Sequence, residues 1–258
     1  MIRQYLVDAF TDQLFCGNPA AVCVLDEWPD DRLMKQIAAE NNLSETAFTV
    51  KEGDLYRLRW FTPTVEINLC GHATLATGFV LLNHYETEAQ SVEFITMSGK
   101  LKVTRIDDTY ELDFPTYDLH EIEVTDAMEQ AFGARPAKAV LGMDLICVYD
   151  DEETVRNMKP DISLVEQLPG RLQNVTAPGK DADCVTRSFC PKAGIIEDPV
   201  CGSAHCQVAD YWAGVLDRTS VTAYQASARG GTLYCELAGD RIRIRGKAVL
   251  FAVCELNI

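Results

Sequence analysis

Two stretches of this chain are copies of one another. The first runs Arg59-Trp60-Phe61-Thr62-Pro63 and then Cys70-Gly71-His72-Ala73; the second runs Arg187-Ser188-Phe189-Cys190-Pro191 and then Cys201-Gly202-Ser203-Ala204. Each reads Arg-x-Phe-x-Pro, a short loop, Cys-Gly-x-Ala and an apolar segment. Arg59 and Arg187 lie 128 residues apart but Cys70 and Cys201 lie 131 apart, so the second loop carries three more residues. A repeat of about half the chain restricts the fold to those built from two similar units. The segments after the cysteines narrow it further. Ala73, Leu75, Ala76, Gly78, Phe79, Val80, Leu81 and Leu82 leave almost no polar face, and Cys206, Val208, Ala209, Tyr211, Trp212, Ala213, Val215 and Leu216 behave alike. A helix apolar on most sides is a buried helix, and both are too short to span a bilayer. Strands must wrap each one.

The sequence supplies them. Tyr56, Leu58 and Trp60, and Ile242 and Ile244 between Arg241, Arg243 and Arg245, alternate with the period of a strand. Ala248 to Val253 is a continuous apolar run that suits a fully buried strand. Asp30 to Glu40 reads as a surface helix with Leu33, Met34, Ile37 and Ala38 on its inner side and Asp30 or Asp31 as cap. The pattern weakens at Phe114-Pro115, and Gly133-Ala134-Arg135-Pro136 reads as a turn. The expected architecture is α+β, in two pseudo-symmetric lobes, each a barrel-like sheet around a central buried helix. Residues 1–115 form the first lobe and 116–258 the second, with the C-terminal strand 248–258 a candidate to pack back onto the first.

Charge excludes several functions. The chain has 39 acidic and 23 basic residues in 258, a formal charge of −16. Nucleic-acid binding requires a basic surface, and so does docking on an anionic membrane. No Gly-rich phosphate loop follows a strand, so a dinucleotide- or nucleotide-binding fold has no support. The opening residues resemble neither a signal peptide nor a membrane span, so a cytoplasmic location and reduced thiols are expected for the ten cysteines. There is no Cys-x-x-Cys pair, and no metal or cofactor is expected. Small-molecule chemistry is the remaining default.

That chemistry sits at two helix starts. In each repeat a cysteine, Cys70 or Cys201, immediately precedes a buried helix, whose first N–H groups and dipole favour a thiolate and bind anions. In a pseudo-symmetric protein two such ends can face each other across a cleft, with a small carboxylate between a thiolate that takes an α-proton and a thiol that gives one back. The plainer reading is that both are packing cysteines. His72, near the first helix start, is pushed toward its neutral form, which suits a relay or merely fixes the turn. Asp198, ahead of Pro199, either shapes the loop or touches substrate. A metal site from Cys70, His72, Cys201, His205 and Cys206 is a third arrangement, which metal analysis would test.

Gly17-Asn18-Pro19-Ala20-Ala21-Val22, Ser44-Glu45-Thr46-Ala47-Phe48, Arg59 to Pro63, Cys70-Gly71-His72-Ala73-Thr74 and Glu197-Asp198-Pro199-Val200-Cys201-Gly202-Ser203-Ala204 together resemble the PhzF-like phenazine-biosynthesis isomerase family. The resemblance runs from Val7 to near the C-terminus with the motifs in order. It implies the diaminopimelate-epimerase-like fold, a site in the cleft between lobes, and a homodimer. It further implies a cofactor-independent isomerase that shifts a proton on a small carboxylate, with Glu45 as acid/base. His72 and Asp198 would then assist, and Ser44, Gly71, Gly202 and Ser203 would bind substrate. The pair Cys70 and Cys201 instead resembles diaminopimelate epimerase and the proline racemases, so a two-cysteine amino-acid racemase is the alternative. A non-catalytic protein that binds a small acid is the alternative of another class.

Overall fold

A computed structural model describes all 258 residues. The chain divides into two compact units, Met1–Asp113 with Arg245–Ile258, and Phe114–Ile244. Each is a curled sheet around one helix, so the protein is mixed α+β.

In the first unit the sheet runs through eight strands: Ala248–Leu256, Ile2–Ala9, Asn18–Leu25, Glu45–Glu52, Leu55–Phe61, Ser91–Thr96, Gly99–Ile106 and Thr109–Pro115. The helix Gly71–His84 touches six of them. Ten of its residues are buried, from His72 to Leu82, because none of its faces is polar enough to meet water. Gly78 sets how closely sheet and helix approach, since a Cβ there would stand 2.4 Å from a Val103 methyl carbon. The surface helix Asp31–Asn41 covers the opposite side of the sheet. Asp30 caps it by accepting from Arg32 N–H, and Met34, Ile37 and Ala38 pack on Cys23, Phe48 and Phe61.

Across six strands of this unit, from Ile2–Ala9 to Gly99–Ile106, the pairings alternate antiparallel, parallel, antiparallel, parallel, antiparallel. The second unit repeats that order through Lys138–Leu141, Leu145–Val148, Gln173–Pro178, Cys184–Cys190, Ser220–Gln225 and Gly231–Ala238. Its central helix, Gly202–Leu216, enters the chain at the same point as Gly71–His84 does in the first unit. Trp212 Nε1 donates to Thr176 Oγ1 and His205 Nε2 meets Thr186 Oγ1, which fixes the helix-facing side of the sheet. Met128, Phe132, Val155 and Val165, from three short helices, cover the other side around Val175, Val185 and Phe189.

The repeated Arg-x-Phe has a structural cause. Arg59 reaches Glu66 with two parallel bonds of 2.7 and 2.8 Å and lies over the Phe61 ring; Arg187 does the same with Glu197 at 2.8 and 2.9 Å, over Phe189. These bidentate pairs pin the short strand leading toward each central helix. Between Phe189 and Glu197 the second unit inserts a 3₁₀ turn, Pro191–Ala193, closed by Gly194 at φ 79°, which accommodates the three extra residues.

One expectation is corrected. Ala248–Leu256 is a strand but is not fully buried: Phe251 and Val253 are half exposed. One face of it turns toward the central helix, while the other is outward, where Phe251 stacks edge-on with Phe15. The strand pairs along its length with Ile2–Ala9, in the first unit. All ten cysteines are free thiols. No helix is long and apolar enough to cross a membrane.

Candidate active site

The start of the first central helix gathers four polar side chains. Cys70 is the N-cap, extended at φ −145°, and its side chain makes no capping bond. One turn-start later His72 points into the interior. Its Nδ1 lies 3.2 Å from Asn18 Nδ2 and 3.6 Å from Cys70 Sγ; its Nε2 lies 3.2 Å from Glu45 Oε2. Because Nδ1 faces an amide donor, the ring proton belongs on Nε2, toward the carboxylate. The Nε2 and Oε2 atoms approach without the alignment of a hydrogen bond. Such looseness is common where a bond tightens only with substrate present. Burial pushes the His72 pKa down to about 3, so the imidazole is neutral at neutral pH.

Local sequence explains the assembly. Glu45 opens the strand Glu45–Glu52, beside Ala20 of Asn18–Leu25 in parallel register. Asn18 follows Gly17, whose φ of 66° and 2.2 Å clearance between a built Cβ and Ala9 O admit only glycine. Ser44, half-buried, precedes Glu45, and Gly71 is the first helical residue. Glu45, Cys70 and His72 offer ligand atoms within 4.8 Å of one another. The imidazole stands between thiol and carboxylate, however, with a different nitrogen toward each.

The second helix start is built differently. Cys201 is again an extended N-cap, with Ser203 Oγ 3.4 Å from its sulfur. Its N–H donates to Gln225 Oε1 at 2.8 Å, and Gln225 Nε2 donates to the Asp198 carbonyl at 2.6 Å. The Asp198 carboxylate accepts from Val200 N–H across the Asp-Pro turn. Here the expectation of a helix-start thiolate fails. Burial raises the Cys201 pKa well above its ordinary value, and Asp198 and Cys190 add to the effect, so the sulfur is a thiol. The five-ligand metal arrangement fails as well. His205 is committed through Nδ1 to the Cys201 carbonyl (2.7 Å) and through Nε2 to Thr186, while Cys206 donates back to the Gly202 carbonyl.

Sequence reasoning missed a network at this second helix start. Asp144, fully buried, accepts from Arg171 Nε and Nη2 (3.1 and 3.2 Å), Leu172 N–H (3.2 Å) and Gln207 Nε2 (2.8 Å). Gln207 Oε1 in turn accepts from Asp144 N–H at 3.0 Å. Arg171 Nη2 also donates to Ser203 Oγ at 3.0 Å. Asn18 lies in the Gly17-Asn18-Pro19-Ala20-Ala21-Val22 motif. Nothing in the spacing of Asp144, Arg171 and Gln207 marks them.

Comparison with known proteins places the chain. Residues 7–253 match the model of the phenazine biosynthesis-like protein family. A relative from Pseudomonas aeruginosa, named an uncharacterized isomerase, is 49% identical over 253 residues, 98% of this chain and 97% of the relative. The crystal structure of a PhzF-family phenazine biosynthesis protein from Enterococcus faecalis superposes with a TM-score of 0.98 at 50% identity, over 100% of this chain and 99% of that one. A probable proline racemase from Agrobacterium radiobacter shares the fold, with a TM-score of 0.69 at 12% identity over 100% and 93% of the two chains. The chain belongs to the phenazine biosynthesis-like family. Its fold is the one that PhzF proteins share with the probable proline racemase, and the name of the 49% identical relative supports an isomerase.

Proposed function

We propose that the chain is a cofactor-independent isomerase that moves a proton on a small carboxylate metabolite, with Glu45 as the group that carries it. The observation behind this reading is the contact of Glu45 with a buried, neutral His72. A carboxylate held beside a neutral imidazole can take a proton from one carbon and return it to another, leaving the protein as it began. His72, with its proton toward Oε2, positions the carboxylate. Asn18 holds the ring from behind and so sets its tautomer. Ser44, Gly71, Gly202 and Ser203 are the proposed substrate-binding residues, and Asp198 assists at the second helix start. In the two-cysteine alternative, the protonated, buried Cys201 has only the role of proton donor.

The test is proton NMR in D₂O with pooled amino acids and cyclic carboxylates. The native chain should exchange one C–H of its substrate class. Glu45→Gln should slow that exchange about 10²-fold or more, whereas Cys201→Ser should retain most of it. Full activity in Glu45→Gln would overturn the reading, and its loss in Cys201→Ser alone would move the two-thiol mechanism forward.

A further inference from the structure

The strand registers align the two repeats residue by residue. Phe61 and Phe189 are equivalent; opposite them stand Thr46 and Gln173. Stepping back along those strands makes Glu45 equivalent to Leu172 and Ser44 equivalent to Arg171. Through the parallel neighbours, Ala20 is equivalent to Asp144. At the helix starts, His72 is equivalent to Ser203. The duplication has therefore diverged in chemistry. Where the first copy has an acid, an imidazole and a serine, the second has Leu172, Ser203 and Arg171.

From this divergence we infer that Arg171 is the residue that recognises the substrate's carboxylate, in the second copy's version of the Ser44 position. The inference deepens the isomerase reading and rests on it for the identity of the ligand as substrate. Three observations carry it. First, the guanidinium is aimed rather than free: Nε and Nη2 are fixed on Asp144, which is completely buried and held by three further hydrogen bonds. Burying a carboxylate is costly, and Asp144 is matched by alanine in the other copy, so the surrounding fold does not require it. Second, the cation keeps binding capacity. Its side chain is 48% exposed, and Nη1 donates to no protein group. Third, Ser203 Oγ accepts from Nη2 and lies 3.4 Å from Cys201 Sγ, whose thiol proton can point to it as well, so that the serine keeps its own proton to donate. Nη1 and the Ser203 hydroxyl are two donors on neighbouring groups, suited to the two oxygens of one carboxylate. In a chain of charge −16, a fixed cation is also what offsets the repulsion of an anionic ligand.

The experiment titrates the native protein with acetate, malonate and benzoate, and in parallel with benzamide, following Arg171 by its side-chain Nε–H resonance and affinity by NMR line changes. Carboxylates should shift the Arg171 signal and benzamide should not. In Arg171→Gln, carboxylate affinity should fall about 10-fold or more, with Arg171→Lys falling between. Because Arg171→Gln leaves a buried charge behind, Asp144→Asn with Arg171→Gln serves as a second variant lacking both charges, and it should show the same loss. Equal carboxylate affinity in a folded variant, or no carboxylate binding by the native chain, overturns the assignment. These binding measurements do not depend on turnover. Failure of hydrogen exchange with carboxylate binding intact counts against the isomerase alone. Exchange with an unchanged KM in the Arg171 variants counts against Arg171 alone.

Discussion

Replacing Asp144 by asparagine changes one atom and should be severe. Oδ1 accepts from Arg171 Nε and Leu172 N–H; Oδ2 accepts from Arg171 Nη2 and Gln207 Nε2. An amide has one oxygen to offer. Whichever way the asparagine turns, two donors meet an N–H group in a site closed to water. Gln207 cannot repair this by rotating its own amide, because its Oε1 already accepts the residue 144 N–H and rotation would break that bond. Hydrogen bonds to a charged acceptor contribute about 1.5–3 kcal/mol each, which gives roughly 3–6 kcal/mol for two. Arg171 is half exposed, so water takes over part of its share, and about 3–4 kcal/mol is the expected loss, within the range for breaking a buried ion pair. Urea unfolding followed by tryptophan fluorescence should show the midpoint falling at unchanged slope. A loss below about 1 kcal/mol would mean that the network does not hold Arg171 in place.

Acid should unfold the protein partly through two histidines. Burial lowers His72 to about 3 and His205 to about 4, whereas both titrate near 6.5 when unfolded. Their contribution is therefore full above about pH 6.5 and is lost as pH falls toward those values, at up to about 1.4 kcal/mol per pH unit for each. His72→Gln combined with His205→Gln should flatten stability between pH 6 and 4, measured by urea titration at each pH; an unchanged acid limb would refute the assignment. Thiol labelling should divide the ten cysteines. Cys16 and Cys254, only partly buried, should react promptly, and the buried eight, Cys201 included, should react slowly unless the protein is unfolded. Rapid labelling of Cys201, located by peptide mass spectrometry, would show that its sulfur is a thiolate after all.

The fold was legible wherever a pattern repeats. Cys-Gly-x-Ala before an all-apolar segment announces a buried helix, and it does so twice, so the two-unit architecture follows from sequence. The error at Ala248–Leu256 has a simple origin: a continuous apolar run does not say how many of its faces are covered. The grouping at the first helix start was legible because Glu45, Cys70 and His72 sit in short contiguous motifs. Arg171 and Asp144 were not, since they are 27 residues apart and meet only through strand register. Carrying the 128-residue offset between Arg59 and Arg187 backward to Ser44 lands on Leu172, one residue off, because the second hairpin is one residue longer. The charge state of Cys201 was not legible for a related reason. A helix dipole can be read from sequence, but the loss of water around a sulfur cannot, and here that loss dominates.

The pairing of Ala248–Leu256 with Ile2–Ala9 bears on how the molecule is made. On a ribosome, Ile2–Ala9 emerges well before its partner Ala248–Leu256, so the first unit keeps an open sheet edge until that strand follows. Phe114–Ile244 carries all the strands of its own repeat and can close earlier. The unit whose chain begins first therefore completes its sheet last, against the usual order of folding, and its exposed backbone edge is a target for chaperones until the partner strand pairs.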